Sequence, residues 1–280
     1  MIRALPPSEL PLIGPTAMVM GVFDGVHRGH AHLLDETMRA ARRLGVASGA
    51  LVFDPHPDEV LRPGHVVARL TPPWVTLDLI RAHGIDHALP LRFDDALRNL
   101  EPVAFLDVLS PGIELRALLM TPQSAFGRRR AGTLDLMRTV GAERRFEAIA
   151  VEPLLDEGEP ISSSRARHAV ETGDLAGAAR LLGRPHRLIG TAGEEGPEST
   201  FALRFEYRPC LPPPGIYVCR WSAHGAETSP EAAVARIGPD VAELRLAGAP
   251  HTSEGTLELL EHLEGSSLMG DKVAARLRGA

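Results

Sequence analysis

The sequence predicts an α/β fold with a parallel sheet, followed by a smaller β-rich domain. Three observations carry this. The first two-thirds of the 280 residues alternates short apolar runs with amphipathic helical patterns. After Gly183-Arg184-Pro185 the helical period fades into short apolar pieces split by proline, glycine and acidic residues. The first apolar run also feeds directly into a glycine- and histidine-bearing segment that opens a helix. That is the strand-to-helix handover where α/β folds bind their ligands.

In chain order, Ala17–Met20, Ala50–Phe53, Ala88–Leu91, Ala117–Met120 and Ala148–Val151 read as buried parallel strands. Between them, His32–Leu44 places Leu33, Leu34, Met38, Ala41 and Leu44 on one helical face. Thr71-Pro72 opens a helix over Trp74–Ala82, which stops at Gly84. Val103–Leu109 and Leu134–Val140 follow the same rule. Ser162-Ser163-Ser164 opens Arg165–Glu171, and Gly173-Asp174 opens Leu175–Leu182, which Gly183 closes. This sets a first domain at 1–184 and a second at 185–280. In the second, Leu188-Ile189-Gly190, Phe201–Tyr207, Gly215–Trp221, Ala232–Ile237 and Val241–Leu246 read as short strands. Gly255–Leu263 fits either a helix or a closing strand.

The net charge of −6 argues against a nucleic-acid footprint, and Arg128-Arg129-Arg130 is at most a local basic patch. No apolar run approaches the ~18 residues of a membrane span. Prolines interrupt the start too early for a signal-peptide core. The two cysteines, Cys210 and Cys219, read as reduced thiols. A cytoplasmic protein acting on small molecules is the expectation.

The segment Gly21-Val22-Phe23-Asp24-Gly25-Val26-His27-Arg28-Gly29-His30 carries the chemistry. Histidines at i and i+3 near a helix start can face the same way. A phosphate there meets backbone N–H groups and positive dipole character. Two imidazoles could then neutralise charge developing at a phosphate held in line. Two plainer readings stand beside this: surface histidines, or a zinc pair completed by His56 or Asp54.

Four ordered blocks carry a resemblance. They are Gly21–His30; Val52-Phe53-Asp54-Pro55-His56-Pro57; Phe126-Gly127-Arg128-Arg129-Arg130-Ala131-Gly132; and Ile161-Ser162-Ser163-Ser164-Arg165-Ala166-Arg167. Together they resemble the bacterial FAD synthetases, the bifunctional riboflavin kinase/FMN adenylyltransferases, over about residues 15 to 190. The resemblance implies a Rossmann-like nucleotidyltransferase domain that joins ATP to FMN with Mg²⁺, giving FAD and pyrophosphate. It implies catalytic roles for His27, His30, Ser164 and Arg167. ATP would be bound by Gly21, Phe23, Asp24, Gly25, Ser163 and Arg165. Flavin would be lined by Pro55, His56, Pro57 and Gln123, and no residue is assigned as a metal ligand. A hydroxyl pair at a helix start with a guanidinium one turn on suits the leaving phosphates, although serines there also serve as plain caps.

Two departures stand out. Where the family carries Gly-x-Asn/Asp-Phe, this chain reads Thr121-Pro122-Gln123-Ser124. Where the family's kinase half carries Gly-Phe-Pro-Thr-Ala-Asn, this chain reads Gly190–Glu198 running into Ser199-Thr200-Phe201, with no such motif. Pro214–Val218 and Leu268–Val273 look like remnants of the kinase barrel. Glu258 falls where the kinase base would be, with a solvated helix face as its plain alternative. The expectation is FMN adenylyltransferase with riboflavin kinase activity lost. The alternative is a flavin- or nucleotide-binding protein without turnover.

Overall fold

Five apolar runs form one sheet because each alternates its large side chains between two helix-covered faces. A computed structural model describes residues 3–195, 200–224, 230–238, 242–246 and 254–263. The strands are β1 (Gly14–Gly21), β2 (Ala47–Asp54), β3 (His87–Arg92), β4 (Ile113–Met120) and β5 (Glu147–Ala150). All pair in parallel, in the order β3-β2-β1-β4-β5. The predicted strands all lie in this sheet.

The helices are α1 (Arg28–Leu44), α2 (Pro57–Leu61), α3 (Pro73–Ala82), α4 (Asp95–Arg98), α5 (Pro102–Leu109) and α6 (Leu134–Arg144). Ala17, Val19, Ala50 and Val52 pack with Leu34 of α1 and with Leu77 and Ile80 of α3. The intervening residues Met18, Leu51 and Leu118 pack with Phe105 of α5 and Met137 of α6. A two-residue hairpin, β6 (Leu155–Asp156) and β7 (Glu159–Pro160), follows β5. Its Asp156 meets Arg28, the first residue of α1, at 3.5 Å.

The chain leaves β1 toward β2 and β3 on one side, and returns to β4 and β5 on the other. The carboxyl ends of β1 and β4 therefore flank a topological switch point, where crossovers diverge and leave a crevice.

The described chain forms two compact units. One holds Met1–Val67 and Pro73–Ile161; the other holds Ala68–Pro72 and Ser162–Ala280. In the second, α7 (Ser163–Glu171) and α8 (Leu175–Leu182) precede the strands. Leu175 of α8 packs in the same cluster as Leu188 and Phe201, which is why these helices group with the strands. The strands are β8 (Arg187–Glu195), β9 (Thr200–Arg204), β10 (Gly215–Ala223), β11 (Glu231–Ile237), β12 (Ala242–Leu246) and β13 (Glu254–Leu263). They close an antiparallel barrel in the order β10-β11-β12-β9-β8-β13. Gly255–Leu263 is thus the closing strand, and Glu258 does not sit on a helix face. Its carboxylate joins Arg187 of β8 (2.8 and 2.5 Å) and Arg220 of β10 (2.9 Å) across the two neighbouring strands. The remnant Leu268–Val273 lies outside the described residues, as do Gly196–Ser199.

His186 precedes β8 and is 1% exposed. Its Nε2 meets the Cys210 carbonyl at 2.8 Å, while Nδ1 has no partner. Burial lowers its pKa from 6.5 to about 4. The unfolded chain therefore binds a proton between these values that the folded chain refuses, so stability falls as pH drops from about 6.5 to about 4. The full loss is on the order of 3 kcal/mol. We expect His186→Gln to flatten this limb, read as denaturation midpoints at pH 7 and pH 4.5; parallel profiles for the two proteins would contradict it.

Candidate active site

The loop between β1 and α1 is strained. Phe23 (φ 56°), Gly25 (φ 80°) and Val26 (φ 37°) all adopt positive φ. For Phe and Val this costs on the order of 1–3 kcal/mol each. Packing holds the conformation: Phe23, Asp24, Val26 and His27 are all buried.

His27 is the N-cap of α1, and its Nδ1 accepts the His30 backbone N–H at 3.2 Å. A nitrogen that accepts carries no proton, so the neutral ring bears its proton on Nε2 and donates from there. The His27 and His30 rings stack with centroids 3.6 Å apart and planes 15° from parallel. Phe23 closes the other side of His30, 5.0 Å between centroids. Burial first, and the neighbouring His27 second, hold the His30 imidazole well below the usual histidine range. It is therefore neutral near pH 7. Its Nδ1 is buried without a hydrogen-bond partner.

Gly29 makes this stack possible. A Cβ there would lie 3.0 Å from the Ile161 carbonyl and 3.2 Å from the His27 ring.

A cleft of about 390 Å³ opens at the carboxyl ends of β1, β2 and β4. Gly21, Phe53, Pro57, Gln123, Phe126 and Arg130 line it. It thus brings Gly21, Pro57 and Gln123 of the expected site together, at the switch point. Pro55 is exposed beside it, after a cis Asp54–Pro55 bond. His56 instead caps α2: its Nδ1 accepts the Asp58 N–H at 3.1 Å, and its own N–H donates to Glu59 at 3.3 Å. That ring nitrogen is committed to its own helix. Among the described residues, no three His, Cys, Asp or Glu side chains gather as a metal-ligand set.

The unusual Thr121–Ser124 segment is an ordered turn. The Ser124 N–H donates to the Thr121 carbonyl at 2.9 Å, and the two hydroxyls meet at 2.7 Å. Arg130 fastens it, donating to the Gln123 carbonyl at 3.0 Å. Arg130 itself is presented by a closed loop in which Phe126 and Gly132 exchange backbone hydrogen bonds of 3.3 and 2.9 Å. At Gly127 (φ 70°) a Cβ would press on the Leu100 carbonyl at 3.1 Å. The Phe-Gly-x-x-Arg-x-Gly spacing therefore builds the loop that holds Arg130 in the cleft. Sequence reasoning quoted this block but did not assign Phe126 or Arg130 to the site, nor Phe53.

In the second unit, Ser163, Ser164, Arg165 and Arg167 occupy the first turns of α7. The capping is done by Ser162, whose hydroxyl accepts the Arg165 N–H at 3.2 Å. Ser164 is exposed and is not the cap.

Residues 12–165 match the FAD synthetase family model, so the chain belongs to the FAD synthetase family. It is 34% identical to a Pseudomonas fluorescens protein named bifunctional riboflavin kinase/FMN adenylyltransferase, over 61% of this chain and 55% of that one. An Escherichia coli K12 protein of the same name is 30% identical over 86% of this chain and 79% of its own length. A crystal structure titled a macrolide-efflux protein from Streptococcus pneumoniae shares the fold, with a TM-score of 0.79 at 20% identity over the whole chain.

The geometry at Gly29 reverses an ordinary expectation. Gly→Ala in a first helical turn usually stabilises by up to ~1 kcal/mol. Here we expect Gly29→Ala to destabilise by about 1–3 kcal/mol, because the new methyl displaces the His27 ring or the Ile161 carbonyl. Urea unfolding and the His27 imidazole NMR shifts read both effects.

Proposed function

We propose that this protein is an FMN adenylyltransferase, transferring the AMP moiety of ATP to FMN to give FAD and pyrophosphate. The observation that carries this reading is the stacked His27/His30 pair at the start of α1, beside a cleft at the β1/β4 switch point. An FMN phosphate oxygen attacks the α-phosphorus of ATP, and the bond to the bridging oxygen of pyrophosphate breaks. Negative charge builds on the α-phosphate oxygens and on the leaving group. His27 Nε2–H and the first-turn amides of α1 are fixed donors for that charge, needing little reorganisation during the reaction. Because burial holds its pKa low, His30 is a poor proton acceptor near neutral pH.

Gly21, Phe23, Asp24 and Gly25 form the nucleotide loop in this reading. Pro55, His56, Pro57 and Gln123 belong to the flavin side, with Pro57 and Gln123 in contact with the cleft. Ser163, Ser164, Arg165 and Arg167 are the groups for the leaving phosphates, as suits the positive end of a helix. A Mg²⁺ ion fits as one carried by the triphosphate and water, since Mg²⁺ keeps several waters and takes its other ligands from phosphate. In this reading residues 1–184 are the domain for this chemistry and 185–280 a shortened kinase-type domain, and we place the protein in the cytoplasm.

Riboflavin kinase activity is lost in this reading. In support of it, the Glu258 carboxylate is paired with Arg187 and Arg220 across neighbouring strands rather than standing free. The sequence also lacks the family's Thr and Asn.

Purified protein given ATP, Mg²⁺ and FMN should release FAD, and His27→Ala should lower kcat by roughly 10²–10³-fold with the fold intact. Absence of FAD beside an active relative would sink the proposal. With riboflavin in place of FMN, neither FMN nor FAD should form. Glu258→Gln should leave FAD synthesis intact and lower stability by about 1 kcal/mol, since two guanidiniums open to solvent lose their counter-charge; measurable FMN formation by the unaltered protein would refute the loss of kinase activity.

A further inference from the structure

The first unit holds an apolar cavity on the sheet face opposite α1. Its volume is about 270 Å³, and it lies between β1, β2 and β4 on one side and α5 and α6 on the other. Buried Met18, Leu51, Leu106 and Leu118 line it, with Phe146 just past the end of α6. Met20 and Leu118 also line the switch-point cleft, so the two spaces share a wall.

Two features of the sheet make room for it. Thr16 of β1 pairs with Leu115 of β4, but the next residue, Ala17, pairs with Ala117. Arg116 is therefore an extra residue, a β-bulge. Leu115 and Leu118 both face α5 and α6, three residues apart where a regular strand would put two. That wider spacing opens the floor of the sheet. Beside it, a Cβ at Gly49 of β2 would come within 2.6 Å of the Met18 terminal methyl. The glycine thus lets the Met18 side chain lie along the sheet over β2 rather than stand up into the cavity.

The mouth lies where α5 ends and β4 begins. Ser110, Glu114 and Arg144 are exposed there. Arg144 meets Asp107 at 2.5 Å, and Glu114 meets Arg116 at 2.6 Å. Each charge at the mouth has a counter-charge beside it, and the four side chains sum to zero. An ionised ligand would gain little at such a mouth and would lose its hydration inside.

Size and lining narrow the occupant further. An apolar cavity of ~150 Å³ takes benzene, so about 270 Å³ has room for roughly ten heavy atoms, two fused rings. The thioethers of Met18 and Met20 and the ring of Phe146 favour an aromatic ligand over an alkyl chain. We propose that this cavity binds a neutral two-ring aromatic molecule, its one polar substituent turned to the mouth, as a ligand site apart from adenylyl transfer.

NMR titration of the full-length protein, with isotope-labelled methionine methyls, tests this with naphthol, naphthoate and octanol as probes. Naphthol should shift the Met18 and Met20 methyl resonances through its ring current. It should bind roughly tenfold or more tightly than naphthoate, which is ionised, and than octanol, which has no ring. Leu115→Trp fills the cavity from a half-buried position and should weaken naphthol by roughly tenfold or more. The milder Leu115→Phe should weaken it in the same direction, guarding against a folding defect in the tryptophan variant. His27→Ala should leave the affinity unchanged. A Met18 methyl that does not move, naphthoate or octanol binding as tightly as naphthol, binding abolished by His27→Ala, or affinity unaffected by both Leu115 substitutions would each overturn the site. Because binding is the readout, it stands or falls separately from the ability to make FAD.

Discussion

The hydrogen bond from the His30 amide to His27 Nδ1 does two jobs with one contact. It satisfies an orphan donor of the first helical turn, as any N-cap must. It also removes the choice of tautomer from His27, because an accepting Nδ1 forces the proton onto Nε2. A Ser or Asp cap would satisfy the helix equally well but would leave no directed N–H at the site. The stack follows from the same contact, since holding His27 over the third helical residue lays its ring on that of His30. Phe23 then packs against His30, tilted by 53°, and the cost is positive φ at Phe23, Gly25 and Val26.

Strain of that kind persists only where surrounding packing over-determines it. Here the apolar layer between the sheet and α1 supplies the packing, with Phe23 and Val26 in the same cluster as Val19 and Leu34. The site is thus an extension of the core, and its geometry is as fixed as that of the sheet. The Thr121–Ser124 turn is held differently, by two hydroxyls and one guanidinium at the surface. The two sides of the switch point therefore differ in stiffness for a physical reason. One is anchored by burial, the other by polar contacts open to water, which are worth less and exchange more easily.

This contrast explains what was legible in the sequence. The strands and helices were readable because Ala17–Met20 or His32–Leu44 declare their period locally. The histidine pair was readable because i and i+3 on a helix share a face. The cap tautomer was not, since it depends on the backbone of His27 lying outside the helix. The role of Arg130 was hidden for a similar reason: its hydrogen bond goes to a carbonyl, which any residue at 123 would provide. The capping of α2 by the His56 ring nitrogen was also hidden, since it depends on where that helix starts. Gly255–Leu263 stayed ambiguous because Leu257 and Leu259 fit a two-residue period while Leu259, Leu260 and Leu263 fit a helical one. Closure of the barrel decided it: Gly255, Leu257 and Leu259 are buried together.

In the barrel, Glu258 acts as a cross-strand clasp. The strand β13 lies between β8 and β10 in the closed ring. Register places Glu258 opposite Arg187 on one side and Arg220 on the other, so each carboxylate oxygen faces its own strand. Cross-strand opposite-charge pairs stabilise a sheet modestly, but a shared, largely buried carboxylate is costly to leave half-paired. Removing the carboxylate would leave both arginines without this partner at once.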